Sequence, residues 1–148
     1  MSQHSYTKVW IHYIWSTHNK EKVLFKDIRR TISNYLYQYA DEKNIFMKVN
    51  YVNADHAHAL IDLPTNLSIE GCAKLLKGAS SRFINKEGLL SNKFNWARGY
   101  GAFSVSQSKL KKVIEYIKNQ EEHHRVKSFT EEYDLFIKKY GVRYLRNG

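Results

Sequence analysis

The chain has 148 residues, 43% of them apolar, enough for one sizeable core and too few for two independent domains, so a single domain over 1–148 is expected. Lys and Arg number 24 against 14 Asp and Glu, and this net charge of +10 favours a polyanionic partner, nucleic acid first, with binding that weakens in salt. A lone cysteine, Cys72, excludes an internal disulfide, and its apolar neighbours mark it as a packed thiol; no stretch approaches the length of a bilayer span.

The opening residues "MSQHSYTKVW" carry no charged segment followed by an apolar run, so the protein is expected in the cytoplasm without a membrane partner. Val9 to Thr17, "VWIHYIWST", is β-branched and aromatic on both alternating faces, which predicts a central strand. From Asp27, a candidate N-cap, Ile28, Ile32, Tyr35, Leu36 and Tyr39 recur at helical spacing as far as a stop at Asn44. "FMKVNYVN" then alternates Met47, Val49 and Tyr51 against Lys48, Asn50 and Asn53. A turn at "AD" leads into a second strand from His56 to Leu63, forming a hairpin.

Ser68 caps a second predicted helix reaching about Asn85. "GYGAFSVS" reads as a fourth strand, Ser108 as the cap of a third helix through about His124, and "SFTE" (Ser128 to Glu131) as a capping box opening a last helix that stops at Gly141. The resulting βαββαβ string followed by two helices is α+β: a ferredoxin-like antiparallel sheet with both crossover helices on one face and the other face open for a site. Many activities share that architecture, so the chemistry must come from particular residues.

Strand alternation puts His56, His58, Leu60 and Asp62 on one face and the aliphatic Ala57, Ala59, Ile61 and Leu63 on the other, under the helices. Two neutral imidazoles at i and i+2 can share one divalent cation, although two solvated histidines would give the same pattern. On the third helix Leu110, Val113, Ile114 and Ile117 form the apolar stripe, while Lys109, Lys112, Tyr116, Gln120 and His123 form a second stripe about 110° away. A phenol with lysine one turn before it and glutamine one turn after it reads as presented to solvent; packing at the core's edge is the alternative. Such a phenol needs a base, a metal or a nearby cation such as Lys112 before it can attack phosphorus. Gln120 offers a carbonyl oxygen that could complete a His–His–Gln site for Mg²⁺ or Mn²⁺.

With these residues assembled, the chain resembles the single-tyrosine HUH transposases of the insertion-sequence 200/605 type, over nearly its whole length. "DHAHALIDLP" is similar to that family's histidine–hydrophobe–histidine strand and following proline, "LSIEGCAKLLKGASSRFIN" to its next helix, and "GYGAFSVSQS…VIEYIKNQEEHH" to the segment bearing the nucleophile. Ala57 departs from the bulkier hydrophobe often found there. The resemblance implies Tyr116 as nucleophile, His56 and His58 as metal ligands and Gln120 as third ligand, with His123 on the same stripe as an alternative. It also implies cleavage and rejoining of single-stranded DNA at element ends through a 5′-phosphotyrosine, hairpin recognition, and a homodimer whose tyrosine helices act in trans.

Eleven tyrosines and three tryptophans suit stacking on unpaired bases, and Lys74, Lys77, Arg82, Lys109, Lys111 and Lys112 are the candidate DNA contacts, each equally readable as a solvated helix face. The rival readings are a non-catalytic ferredoxin-like module binding nucleic acid on its sheet, and a related nuclease acting on repeated palindromic sequences. A metallo-β-lactamase-like site would continue His-x-His with Asp-His, and Ala59-Leu60 does not fit it.

Overall fold

The computed structural model describes residues 5–120 and 127–140. The elements are β1 (Trp10–Ser16), α1 (Lys26–Glu42), β2 (Phe46–Val52), β3 (His56–Asp62), α2 (Ile69–Lys86), β4 (Gly101–Val105), α3 (Leu110–Lys118) and α4 (Phe129–Tyr140). The strands form one sheet in the order β2-β3-β1-β4 with every neighbouring pair antiparallel, the split βαβ arrangement expected from the sequence. β1 is central and buried from Trp10 to Trp15, because both of its faces carry bulky side chains that need cover. Among the described residues no helix is long and apolar enough to cross a membrane.

One face carries the main core. Ile11, Tyr13 and Trp15 of β1 and Ala57, Ala59 and Ile61 of β3 meet Ile32, Leu36 and Ala40 of α1 and Cys72, Ala73 and Leu76 of α2. The alanines leave room for the helices to sit close against the sheet, and Cys72 is buried among them.

Helix boundaries shift locally. Ser68 caps α2 as expected, its Oγ accepting from the Gly71 N–H at 2.9 Å. Asn44 takes φ 58°, ending α1. Phe25 occupies the N-cap of α1, so Asp27 falls in the first turn, where its charge favours the helix N-terminus. Ser108 lies inside a 3-10 turn, Gln107–Lys109, and α3 begins without a side-chain cap. In β2 the alternation breaks: a register shift between Met47 and Val49 makes Lys48 the extra residue, so Met47 joins the main core while Val49 turns to the opposite face.

The face expected to be open is covered. α3 packs Ile117 onto Trp10, Val49, Leu60 and Val105, and α4 packs Phe129, Tyr133 and Phe136 onto Ile14 and Phe103. A sheet face bearing Trp10, Ile14, Leu60 and Phe103 is too apolar to leave wet, and the amphipathic stripes of these two helices bury it. The capping box of α4 forms as read: the Glu131 N–H donates to Ser128 Oγ at 3.2 Å, and the Ser128 N–H donates to Glu131 Oε1 at 3.3 Å. Gly101 makes the close approach of α4 feasible, since a Cβ there would stand 2.8 Å from the rings of both Phe103 and Tyr133.

Candidate metal centre and tyrosine

Between α3, α4 and the sheet lies a buried polar cluster. His56 and His58, both 0% exposed, sit with ring centroids 5.1 Å apart on the face that strand alternation assigns them. Nδ1 of His56 lies 2.7 Å from Asp55 Oδ1, and Nδ1 of His58 lies 2.8 Å from Nε2 of His12 on β1. Each imidazole therefore turns Nε2 toward the same point. There α4 contributes Glu132, 3% exposed, whose Oε1 stands 3.4 Å from both Nε2 atoms.

Gln120, also fully buried, braces this carboxylate. Its Nε2 donates to Glu132 Oε2 at 3.2 Å and to the Tyr116 carbonyl oxygen at 3.3 Å, while its Oε1 accepts from Asn53 Nδ2 at 3.3 Å. Asn53 Nδ2 also lies 3.0 Å from His56 Nε2.

Burial alone would raise the Glu132 carboxyl, but the His56 and His58 rings, each 3.4 Å from its Oε1, outweigh that and hold it down at about 2, so it is ionised. Burial pulls His56 down too, yet the Asp55 and Glu132 carboxylates leave its pKa above the ordinary value. His58 ends below the ordinary value because burial outweighs the pull of Glu132, and His12 lies well below it through burial and the neighbouring His58.

The donor set fits a divalent cation. His56, His58 and Glu132 each offer one ligand atom, all lying within 4.8 Å of one another. Among the described residues no hydrogen bond of full geometry reaches the buried Nε2 of His58, which faces Glu132 Oε1 at 3.4 Å.

Tyr116 is half-buried at the edge of this cluster. Its ring packs against the apolar residues under α3 and presents to the imidazoles, with centroids 6.0 Å from His58 and 6.5 Å from His12, and 5.8 Å from Phe136 on α4. The structure thus brings together His56, His58, Tyr116 and Gln120. His123 lies outside the described residues.

The candidate DNA-contacting cations divide between opposite sides of the sheet. Lys109, Lys111 and Lys112 are exposed on the side of the histidines, whereas Lys74, Lys77 and Arg82 belong to α2, behind the other face. Lys77 donates to the carbonyls of Ala97 and Gly99 at 2.9 and 2.7 Å, and its burial lowers its pKa, so its ammonium braces the segment before β4. Lys74 lies 3.8 Å from Glu70 on the same exposed helix face.

Sequence reasoning missed His12, Asn53, Asp55 and Glu132. His12 had a signal, a polar residue alternating with Trp10 and Ile14 on a strand of bulky side chains. Glu132 had another: on α4 it falls within the stripe of Phe129, Tyr133 and Phe136, where an acid is out of place unless it meets a partner.

Comparison with known proteins fits this arrangement. The chain is 27% identical over 120 residues to the transposase of the insertion element IS200 from Salmonella typhimurium, a match covering 78% of each chain. It is likewise 27% identical over 115 residues to the ISDra2 transposase of Deinococcus radiodurans, covering 74% of this chain and 81% of that one. Two solved structures share the fold. A transposase structure from Deinococcus radiodurans superposes with TM-score 0.64 at 24% identity, covering 81% of this chain and 96% of that one. A REP-associated tyrosine transposase bound to a REP hairpin gives TM-score 0.57 at 13% identity, covering 84% and 74%. The family model described as "Transposase IS200 like" matches residues 5–120, from before β1 to Gln120, and on that match the chain belongs to the IS200-like transposase family.

Proposed function

We propose that this transposase cleaves and rejoins single-stranded DNA at element ends, with Tyr116 as the nucleophile and a divalent cation, Mg²⁺ or Mn²⁺, held by His56, His58 and Glu132. The observation carrying this reading is the meeting of Tyr116 with His58, ring centroids 6.0 Å apart, beside three groups whose ligand atoms lie within 4.8 Å of one another. When bound, the cation polarises the phosphate and offsets its charge during attack. The Tyr116 oxygen attacks phosphorus and loses its proton, the bond to the 3′ oxygen breaks, and that oxygen leaves as a 3′-OH, giving a 5′-phosphotyrosine. The ester linkage is conserved, so rejoining is the reverse attack with no external energy source. Gln120, expected as third ligand, here positions Glu132 and ties it to the backbone of Tyr116.

The substrate is single-stranded DNA carrying a hairpin, in keeping with the +10 charge and with the hairpin bound by one structural neighbour. Lys109, Lys111 and Lys112 flank the tyrosine on its own helix and its approach, and they are the backbone contacts this geometry favours. One tyrosine holds one DNA end, so excision of an element with two ends calls for a twofold homodimer. Within one chain Tyr116 already stands against His58; exchange of tyrosine helices between subunits is the alternative arrangement. Mixing Tyr116→Phe with His56→Ala subunits decides between them, since restored cleavage requires sites shared in trans.

The test of the chemistry is a labelled hairpin oligonucleotide incubated with the protein and Mn²⁺. An SDS-resistant protein–DNA adduct that Tyr116→Phe abolishes is the expected result. Binding without any adduct would instead establish the non-catalytic module.

A further inference from the structure

We infer that His12 is a positioning residue for the metal centre, its Nε2 accepting the Nδ1–H of His58 and thereby presenting Nε2 of His58 as the ligand atom. The role rests on the metal site proposed above and adds a second layer to it. His12 sits on β1, 1% exposed, with its Nε2 2.8 Å from His58 Nδ1 and the two rings stacked at 5.0 Å.

A hydrogen bond between two ring nitrogens holds one proton on its line. When His12 supplies it, Nε2 of a neutral His58 carries its own proton and cannot ligate; when His58 supplies it, Nε2 presents a lone pair toward Glu132 and His56. Metal-binding histidines generally donate their second N–H to an acceptor that fixes both tautomer and ring plane. His56 has that acceptor in Asp55, at 2.7 Å from its Nδ1. For His58 the corresponding position is filled by His12.

The two acceptors differ in charge, and that difference separates the two ligands. A carboxylate behind His56 makes it the more basic donor, whereas a neutral imidazole behind His58 fixes orientation with less added charge. His12 is itself held by aromatic rings, with Phe136 of α4 edge-on at 5.3 Å and Tyr116 at 6.5 Å, so one side chain spans the ligand, the tyrosine and the covering helix.

The test compares His12→Phe, which keeps a ring without an acceptor, with His12→Gln, whose terminal oxygen can take the place of Nε2. Zn²⁺ and Mn²⁺ affinities are measured calorimetrically on each folded protein, with circular dichroism as the folding check. His12→Phe should weaken binding on the order of 10–100-fold while His12→Gln stays near the wild type. In the Zn²⁺-loaded wild type, nitrogen NMR should show His58 protonated at Nδ1 with scalar coupling across the bond to His12 Nε2. Equal affinity in all three proteins, or a loaded His58 protonated at Nε2, overturns the role while leaving the metal site standing. A wild type that binds neither cation removes the site and the role of His12 together. Should His12→Phe fail to fold, the tautomer of the loaded wild type and the affinity of His12→Gln decide alone.

Discussion

Gln120 Nε2 donates to Glu132 Oε2 at 3.2 Å, joining the end of the tyrosine-bearing segment to the helix that closes the site. On the function proposed above, Gln120 holds the carboxylate that faces both imidazoles, and Glu132 takes the ligand position. Charge favours this division of roles, because an ionised oxygen stabilises a divalent cation more than an amide oxygen does. Glu132→Gln should therefore weaken Mn²⁺ binding more than tenfold, a loss above about 1.4 kcal/mol, and Gln120→Ala should cost less. Calorimetric titration of both variants checks the order; a larger loss in Gln120→Ala would restore Gln120 as the ligand.

The lysines on α2 and near α3 should behave differently. Lys77→Ala removes two part-buried bonds, to the carbonyls of Ala97 and Gly99, and should destabilise the fold by about 1–3 kcal/mol in a denaturant titration. Lys112→Ala should leave stability within about 0.5 kcal/mol and instead lower affinity for a single-stranded hairpin, with a shallower salt dependence. Equal loss of DNA affinity in the two variants would contradict this separation.

Gly101→Ala tests whether α4 is seated as described. The new methyl would enter the space of Phe103 and Tyr133, both at 2.8 Å, so overpacking should cost about 1–3 kcal/mol and lift α4. Hydrogen exchange should rise across Phe129–Tyr140 and Mn²⁺ affinity should fall with it, because Glu132 rides on that helix. Unchanged exchange in α4 would speak against its close packing.

The buried imidazoles give the metal-free protein a pH signature. His12 and His58 have folded pKa values below their unfolded 6.5, so below that pH the unfolded chain binds more protons and stability falls as pH falls. His56 is raised and acts oppositely, contributing stability that is present below pH 6.5 and lost as pH rises through its folded value. His12 lies well below its unfolded value, so Tm should drop between pH 6.5 and 5. His12→Gln should flatten that drop. A wild-type Tm that is level through this window would count against burial of these neutral rings.

Much of the fold was legible because local periodicity and burial agree. The bulky alternation of Trp10–Ser16 could only be satisfied at the centre of a sheet, and the Ala57-x-Ala59-x-Ile61 set only beneath helices. The covered sheet face was not legible, because whether α3 and α4 lie over it depends on the paths of their connections. Nor was the bulge between Met47 and Val49, since one extra residue in an alternating strand leaves its composition unchanged.

For the site, the sequence by itself determined that His56 and His58 share a face and that Tyr116 stands off the main apolar stripe of its helix, both consequences of fixed strand and helix periods. Only the tertiary structure decided what meets them. His12 reaches His58 because the β1–β3 register sets Ile14 opposite His58 and leaves His12 as its diagonal neighbour. Glu132 arrives from a helix beyond the stretch matched by the family, carried into place by Phe129 and Phe136 packing on the sheet. Long-range pairing and helix docking join residues that no spacing along the chain connects, and they turned two histidines on a strand into a three-residue cluster able to hold a metal ion.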